Sequence, residues 1–233
     1  RFKIRLKKVL GVQKDKLDSV LQWIKTNGVP NYFGNQRFGT DGNNWEDGKK
    51  LIEGTLKIRD RKTKEFLMGA YQSYLFNQWL SKRMELNHLL EKFSEAETEQ
   101  VMNLPEGSLR GTKSQPNFFK LVEGDVMMHY PYGRLFTVEN LEEEAKRFQA
   151  KDIAPAGLLP GKKTNRAQGV AGLIEAPFAE DINLNGARRY AWIQVTEINK
   201  NYVEEKAHYE LSFVLPKGCY ATNVLDVLRG GEA

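Results

Sequence analysis

The sequence predicts an α+β fold, and two pairs of stretches predict it. Arg1 to Lys8 reads R-F-K-I-R-L-K-K, and Lys206 to Val214 reads K-A-H-Y-E-L-S-F-V. Both alternate polar and apolar residues with period two, the pattern of half-buried strands. Asp15 to Asn27 and Lys62 to Glu91 instead space their apolar residues as helices do. With 233 residues, 28% charged and 40% hydrophobic, the chain has ordinary globular composition. It is long enough to bury a core in one large domain or two small ones.

The totals exclude several classes of function. No apolar run approaches the roughly 18 residues of a membrane span, and no stretch has the layout of a signal peptide. Cys219 is the only cysteine, so no internal disulfide can form and a reducing cytoplasm is expected. His88, His129 and His208 are scattered, without zinc-site spacing, so neither a metal nor another cofactor is expected. A net charge of +5 and a pI of about 9.1 favour an anionic partner at long range.

Taken in order, the first strand turns Phe2, Ile4 and Leu6 one way and Lys3, Arg5 and Lys7 the other. Its basic face is either solvated or turned toward a nucleic acid. Asp15 and Asp18 suit a helix N-terminus, where carboxylates meet free N–H groups and the positive end of the dipole. Leu17, Val20, Leu21 and Ile24 form that helix's apolar stripe, which Gly28 and Pro30 then stop.

Val29-Pro30-Asn31-Tyr32-Phe33-Gly34-Asn35-Gln36-Arg37-Phe38-Gly39 follows. Gly34 and Gly39 allow turns or a close approach of backbone to a ligand. Asn31, Gln36 and Arg37 offer amide and guanidinium donors, and the guanidinium matches phosphate in bidentate fashion. Aromatics interleaved with such donors suit single-stranded nucleic acid; the alternative is a packed connecting loop.

Thr40 to Asn44 is turn-rich and polar, and Trp45 to about Arg59 reads as a helix. In the long helix that follows, Tyr71, Tyr74, Phe76 and Trp79 form an aromatic stripe of the kind that builds cores. Glu95 to Glu99 reads as a solvated acidic patch. Glycines and prolines punctuate 103–138 into short strands and loops. Asn140 caps a helix through Ala150, with Glu142, Glu143 and Glu144 in its first turn. Lys162, Lys163 and Arg166 make a basic loop, either solvated or in contact with phosphate. After the last alternating strand comes Leu215-Pro216-Lys217-Gly218-Cys219-Tyr220-Ala221-Thr222, then a short helix from Asn223 to Leu228.

Several of these segments together resemble one family. P-N-Y-F-G-N-Q-R-F-G matches every fixed position of P-N-Y-F-G-x-Q-R-F-G, the signature of the TruD family of tRNA pseudouridine synthases. Ser73 to Gln78 resembles that family's S-x-L-F-N-Q helix, and L-L-P-G at 158–161 resembles its A-L-P-G. L-P-K-G-C-Y-A-T resembles its L-P-x-G-S-[FY]-A-T, with Cys219 where the family has Ser. The resemblance implies that Phe2 corresponds to a Phe of a G-N-x-F motif that stacks on the target uracil; read without it, Phe2 is equally a core residue. Tyr220 inherits a place beside the catalytic Asp. Asn31, Tyr32, Phe33, Gly34, Gln36, Arg37, Phe38 and Gly39, with Lys217 and Gly218, become candidate substrate-binding residues.

Gly11-Val12-Gln13-Lys14-Asp15-Lys16 superficially resembles the family's catalytic G-x-K-D segment, but it holds an extra residue and follows the Phe2 strand instead of preceding it. The nucleophilic Asp is therefore expected upstream of Arg1. The implied architecture is part of a mixed, largely antiparallel catalytic sheet (1–40 and 203–233) interrupted by an inserted α+β domain (41–202). The implied function is isomerisation of uridine to pseudouridine at position thirteen of tRNA, with this stretch alone inactive. Two other classes remain open at the level of sequence. One is a non-catalytic RNA-binding module; the other is a hydrolase built on Asp15 or His208, for which no partner stands at a recognisable spacing.

Overall fold

A computed structural model describes residues 1–230. In chain order the elements are β1 (Phe2–Lys7), α1 (Gly11–Asn27), β2 (Val29–Pro30), α2 (Asn44–Ile52), α3 (Arg61–Lys92), α4 (Glu95–Met102), β3 (Val126–His129), β4 (Leu135–Thr137), α5 (Leu141–Gln149), β5 (Ile153–Leu159), α6 (Gly169–Glu175), β6 (Ala187–Tyr190), β7 (Trp192–Ile193), β8 (Thr196–Val203), β9 (His208–Val214) and α7 (Ala221–Leu228). Every pairing between these strands is antiparallel, so the α+β expectation holds. Among the described residues no helix is long and apolar enough to cross a membrane.

The chain divides into two compact units, one from Arg1–Asn31 with the chain from Trp192 onward, the other Tyr32–Ala191. The first is therefore built from both ends of the sequence. Its sheet has the order β1-β9-β8, and Phe2, Ile4 and Leu6 pair with Phe213, Leu211 and Tyr209. Period-two alternation puts those six side chains on one face, where Tyr209, Leu211 and Phe213 are fully buried. A second pairing, β2 with β7, ties the two segments at Val29–Ile193 and Pro30–Trp192. Here Gly28 takes φ +83°, and a Cβ on it would lie 2.4 Å from the Ile193 carbonyl oxygen. The Trp192 indole N–H donates to the Asn27 carbonyl, closing the end of α1.

In the second unit α3 runs against β5, one of the two inner strands of a sheet ordered β4-β3-β5-β6. Gly157 on β5 lets the two meet, since a Cβ there would reach within 2.2 Å of the Trp79 ring. The aromatic stripe of α3 is core, as expected: Tyr71, Phe76 and Trp79 are buried. Two buried ion pairs lock this unit. Arg83 pairs with Asp125 and also donates to the Lys120 carbonyl at 2.7 Å. Arg188 pairs with Glu175 at 2.5 Å and 2.9 Å.

Three expectations are corrected. The first helix begins at Gly11, not Asp15, and its first turn holds no carboxylate. Gln13 instead takes the Leu10 N–H at 2.9 Å, so Asp15 and Asp18 sit within the helix. The second helix stops at Ile52 and not near Arg59, because Gly54 adopts φ +76° and the Thr55 and Leu56 N–H groups turn back to the Lys50 carbonyl. Glu95 to Glu99 is not a solvated patch but the start of α4, capped by Ser94. Glu99 is buried and accepts from the Gly107 and Leu109 amides at 2.9 Å and 2.7 Å, and Glu95 accepts from Gly111 and Lys113. The two carboxylates hold a loop that has little other structure of its own.

Candidate functional site

The candidates from the sequence fall into both units. In the first, β1 sets Phe2 opposite Phe213, with ring centroids 5.6 Å apart and planes inclined by 30°. From Phe213 the chain runs through Leu215 into a turn in which Gly218 takes φ +81° and Lys217 is exposed. Only glycine adopts that conformation without strain. Tyr220 is the N-cap of α7 and is half-buried, as is Cys219. The L-P-K-G-C-Y-A-T segment is thus the junction between β9 and α7. The helix begins at Ala221, two residues before the expected start.

The outward face of the same sheet is polar. Lys3 and Arg5 of β1, Glu210 and Ser212 of β9, and Asn199 and Asn201 of β8 line an open depression of about 480 Å³. Arg5 donates to Glu210 at 3.0 Å, so part of its charge is already matched. Lys200 points through to the other face and meets Asp18 at 2.5 Å. His208 lies beside Lys7 and Val203 in register, and Asp15 is an exposed residue of α1 whose side chain meets Lys14 at 3.1 Å.

Asp18 itself accepts from the Tyr209 hydroxyl at 2.5 Å and from Lys14 at 3.1 Å. Burial pushes its carboxyl up, but the hydrogen bonds from Lys200, Tyr209 and Lys14 outweigh it and hold the group at about 2. Burial and the neighbouring Asp18 carboxylate push the Tyr209 phenol up. This is the arrangement of a structural clamp between helix and sheet.

In the second unit the signature turns over α3 and is bound to it. The Phe33 N–H donates to Asn77 Oδ1 at 2.8 Å, and Asn77 Nδ2 donates back to the Phe33 carbonyl at 3.0 Å. Arg37 Nε donates to Ser73 Oγ at 2.9 Å, and the guanidinium lies 5.5 Å from the Phe66 ring centroid. A Cβ at Gly69 would be 2.8 Å from Arg37 Nη2, so this glycine makes room for the guanidinium. Phe33 packs edge-on to Phe76, with the Arg189 guanidinium 4.0 Å from its centroid. Ser81 reaches the Tyr32 hydroxyl at 3.3 Å.

Phe38 is buried, and Gly39 takes φ +85° against the Asn44 side chain. Asn31, where the first segment of the first unit ends, is buried as well. Gly34 caps the short 3₁₀ turn Asn35–Phe38, from which Asn35 and Gln36 face solvent. Most of the signature is therefore spent on holding the turn in place. The residues that hold it, Ser73, Asn77 and Arg189, were not among the candidates from sequence. The first two belong to the S-x-L-F-N-Q stretch, whose likeness was visible; Arg189 had no signal, since nothing local marks it as a partner of Phe33.

Comparison with known proteins fits this geometry. A family model described as tRNA pseudouridine synthase D (TruD) matches residues 1–58 and 108–227. The chain is 51% identical to the tRNA pseudouridine synthase D of Nitratiruptor sp. over 97% of its own length and 63% of that protein's. It is 49% identical to the protein of that name from Sulfurimonas denitrificans, with the same two coverages. It is 40% identical to the one from Helicobacter pylori, over 98% of this chain and 63% of that protein. The chain thus spans about 63% of the length of these relatives. Among solved structures, a crystal structure from Methanosarcina mazei, provisionally named tRNA pseudouridine synthase D, shares the fold with a TM-score of 0.59. The identity is 21%, over 97% of this chain and 68% of that one. The chain belongs to the TruD family of tRNA pseudouridine synthases.

Proposed function

We propose that this chain is the C-terminal portion of an enzyme that isomerises uridine to pseudouridine in tRNA, at position thirteen. The reaction breaks the bond between C1′ and the uracil nitrogen, turns the base and rejoins it through C5. A carboxylate nucleophile carries the intermediate, and no external electron or energy source is consumed. The base must first leave its stack, which calls for an aromatic platform. In this reading Phe2 and Tyr220 are the platform, and Lys217, in the same β9–α7 junction as Tyr220, serves the phosphates beside it, while Lys3 and Arg5 lie on the opposite face of the sheet.

One observation carries the reading. The aromatic of the L-P-K-G-C-Y-A-T segment and the Phe implied to stack on uracil belong to one compact unit, joined through Phe213 and the turn that follows it. The incomplete catalytic domain is then 1–40 with 203–233, and 41–202 is the inserted domain. The split into Arg1–Asn31 with the chain from Trp192, and Tyr32–Ala191, supports a discontinuous arrangement of this kind. The signature residues Tyr32, Phe33, Gly34, Gln36, Arg37, Phe38 and Gly39 act chiefly by shaping the turn, with Gln36 left to face substrate.

The nucleophile comes from sequence outside these residues, since Asp15 is an exposed helical residue and Asp18 is committed to Tyr209 and Lys200. Residues 1–233 alone are inactive in this reading. The full-length protein tests it with a tRNA transcript carrying tritium at uracil C5. Rejoining through C5 expels that hydrogen, so tritium is released in proportion to the uridine converted, and only from position thirteen. RNA binding without tritium release by the full-length protein would leave a binding module in place of an enzyme.

A further inference from the structure

A basic patch on the second unit is not absorbed by the candidate site. Lys57, Arg59, Lys62 and Lys64 lie at and just before the start of α3, and Lys162 and Lys163 lie in the loop after β5; all six are exposed. They are far apart in sequence but pinned to common ground. Ile58 and Leu56 pack on the apolar cluster of Leu51, Leu67, Met68 and Ile182, as does Leu184. Leu184 in turn accepts from the Lys162 N–H at 2.8 Å, and the Lys162 carbonyl accepts from Gly186 at 2.8 Å. Gly186 lies so close beneath the loop that a Cβ would meet Thr164 Oγ1. Arg61 and Lys64 on one side and Lys162 on the other therefore border the same segment, Asp181–Asn183.

The charge balance here is one-sided. The acids of the patch are engaged: Asp60 caps α3 through the Thr63 N–H, Glu65 pairs with Arg61, Asp181 pairs with Arg166, and Glu180 accepts from the Tyr71 hydroxyl. Among the described residues none of the six cations has an ion-pair partner. With the nearby acids engaged, these exposed cations leave this face with a net positive charge that a polyanion would match. We propose that this patch is a second contact surface for tRNA, binding the phosphate backbone of a helical arm without reading its bases. This inference rests on the reading that the protein acts on tRNA.

Binding of a tRNA transcript by the full-length protein across a salt series tests it. Each phosphate contact contributes about 0.9 to the slope of log affinity against log salt concentration on a duplex. Lys62→Gln with Lys64→Gln, and separately Lys162→Gln with Lys163→Gln, should each lower the slope by roughly two contacts' worth, about 1.8. Thermal midpoints should not move, because all four side chains are exposed. Lys92→Gln with Arg110→Gln is the control and should leave the slope unchanged; Lys92 ends α3, roughly 45 Å from Lys62 at 1.5 Å per residue.

Unchanged slopes in both patch variants would overturn the proposal, as would an equal fall in the control. Loss of binding to phosphatidylserine vesicles with an intact tRNA slope would assign the patch to membranes and overturn it too. In any of these cases a wild-type protein that still releases tritium from tRNA keeps the functional reading standing. A wild type that neither binds tRNA nor releases tritium removes both.

Discussion

At Asp18 one carboxylate ties three elements, accepting from Lys14 on α1, Lys200 on β8 and Tyr209 on β9. Its folded pKa, about 2, lies below the ordinary aspartate value near 3.9. A depressed carboxylate stabilises the fold above its unfolded pKa, and that stability is lost as pH falls through the folded one. Asp18→Asn should therefore lower the denaturant midpoint at neutral pH. The gap from wild type should narrow steadily from about pH 4 to about pH 2. A gap that stays constant over that range would show that the charge is not the stabilising feature. Gly28 is a second single-residue constraint: Gly28→Ala meets both φ +83° and the Ile193 carbonyl, and should cost more than about 1 kcal/mol in chemical denaturation. Gly28 was readable from sequence as a helix stop. Asp18 was misread, because a carboxylate near a helix start has a local explanation and its true partners lie 182 and 191 residues away along the chain.

The joint between the signature turn and α3 works at the scale of elements. Each half leaves polar groups to be satisfied: Tyr32 to Gly34 form no strand, and Asn77 is a polar residue in the middle of a helix half of whose residues are buried. Together they satisfy each other, since the Asn77 amide supplies both a donor and an acceptor to the Phe33 backbone. Asn77→Ala leaves two partly buried backbone groups without that partner and should destabilise by on the order of 2 kcal/mol. Amide exchange at Phe33 should rise by more than the global loss of stability accounts for. Asn77→Asp, which keeps the acceptor and drops the donor, should protect the Phe33 amide while still destabilising. Equal exchange in the two variants would argue that the amide pair does not hold the turn. Both motifs were legible as strings, but that one clasps the other was not. Periodicity reports which face of a helix is buried, not which loop covers it. Glu95 to Glu99 failed for a related reason, because their role is to bind amides of a loop whose fold has no sequence pattern.

At the scale of the whole chain, the outer segments complete one unit and the middle forms another. The period-two strands at the two ends were plain from sequence because one of their faces is buried and the other is not. Their order, β1-β9-β8, was not, since alternation carries no information on which strand pairs with which. Pro30 and Trp192 are paired residues of an antiparallel ladder, so the chain leaves and re-enters the first unit at neighbouring points. An insertion with adjacent ends places little constraint on the host, and a host so interrupted should not need its insert. Residues 32–191 expressed alone should unfold cooperatively, because α3, both buried ion pairs and the four-stranded sheet lie wholly within them. In the full-length protein, joining Asn31 through a single glycine to Trp192 should make a two-residue hairpin between Pro30 and Trp192 and keep the β1-β9 pairing. Circular dichroism melts and amide exchange along β9 measure both. If 32–191 melts without cooperativity, the middle segment depends on the ends; if the joined chain shows no protection at Leu211 and Phe213, the ends depend on the middle. In either case the two units would be one folding unit, and the division seen in the contacts would describe geometry and not stability.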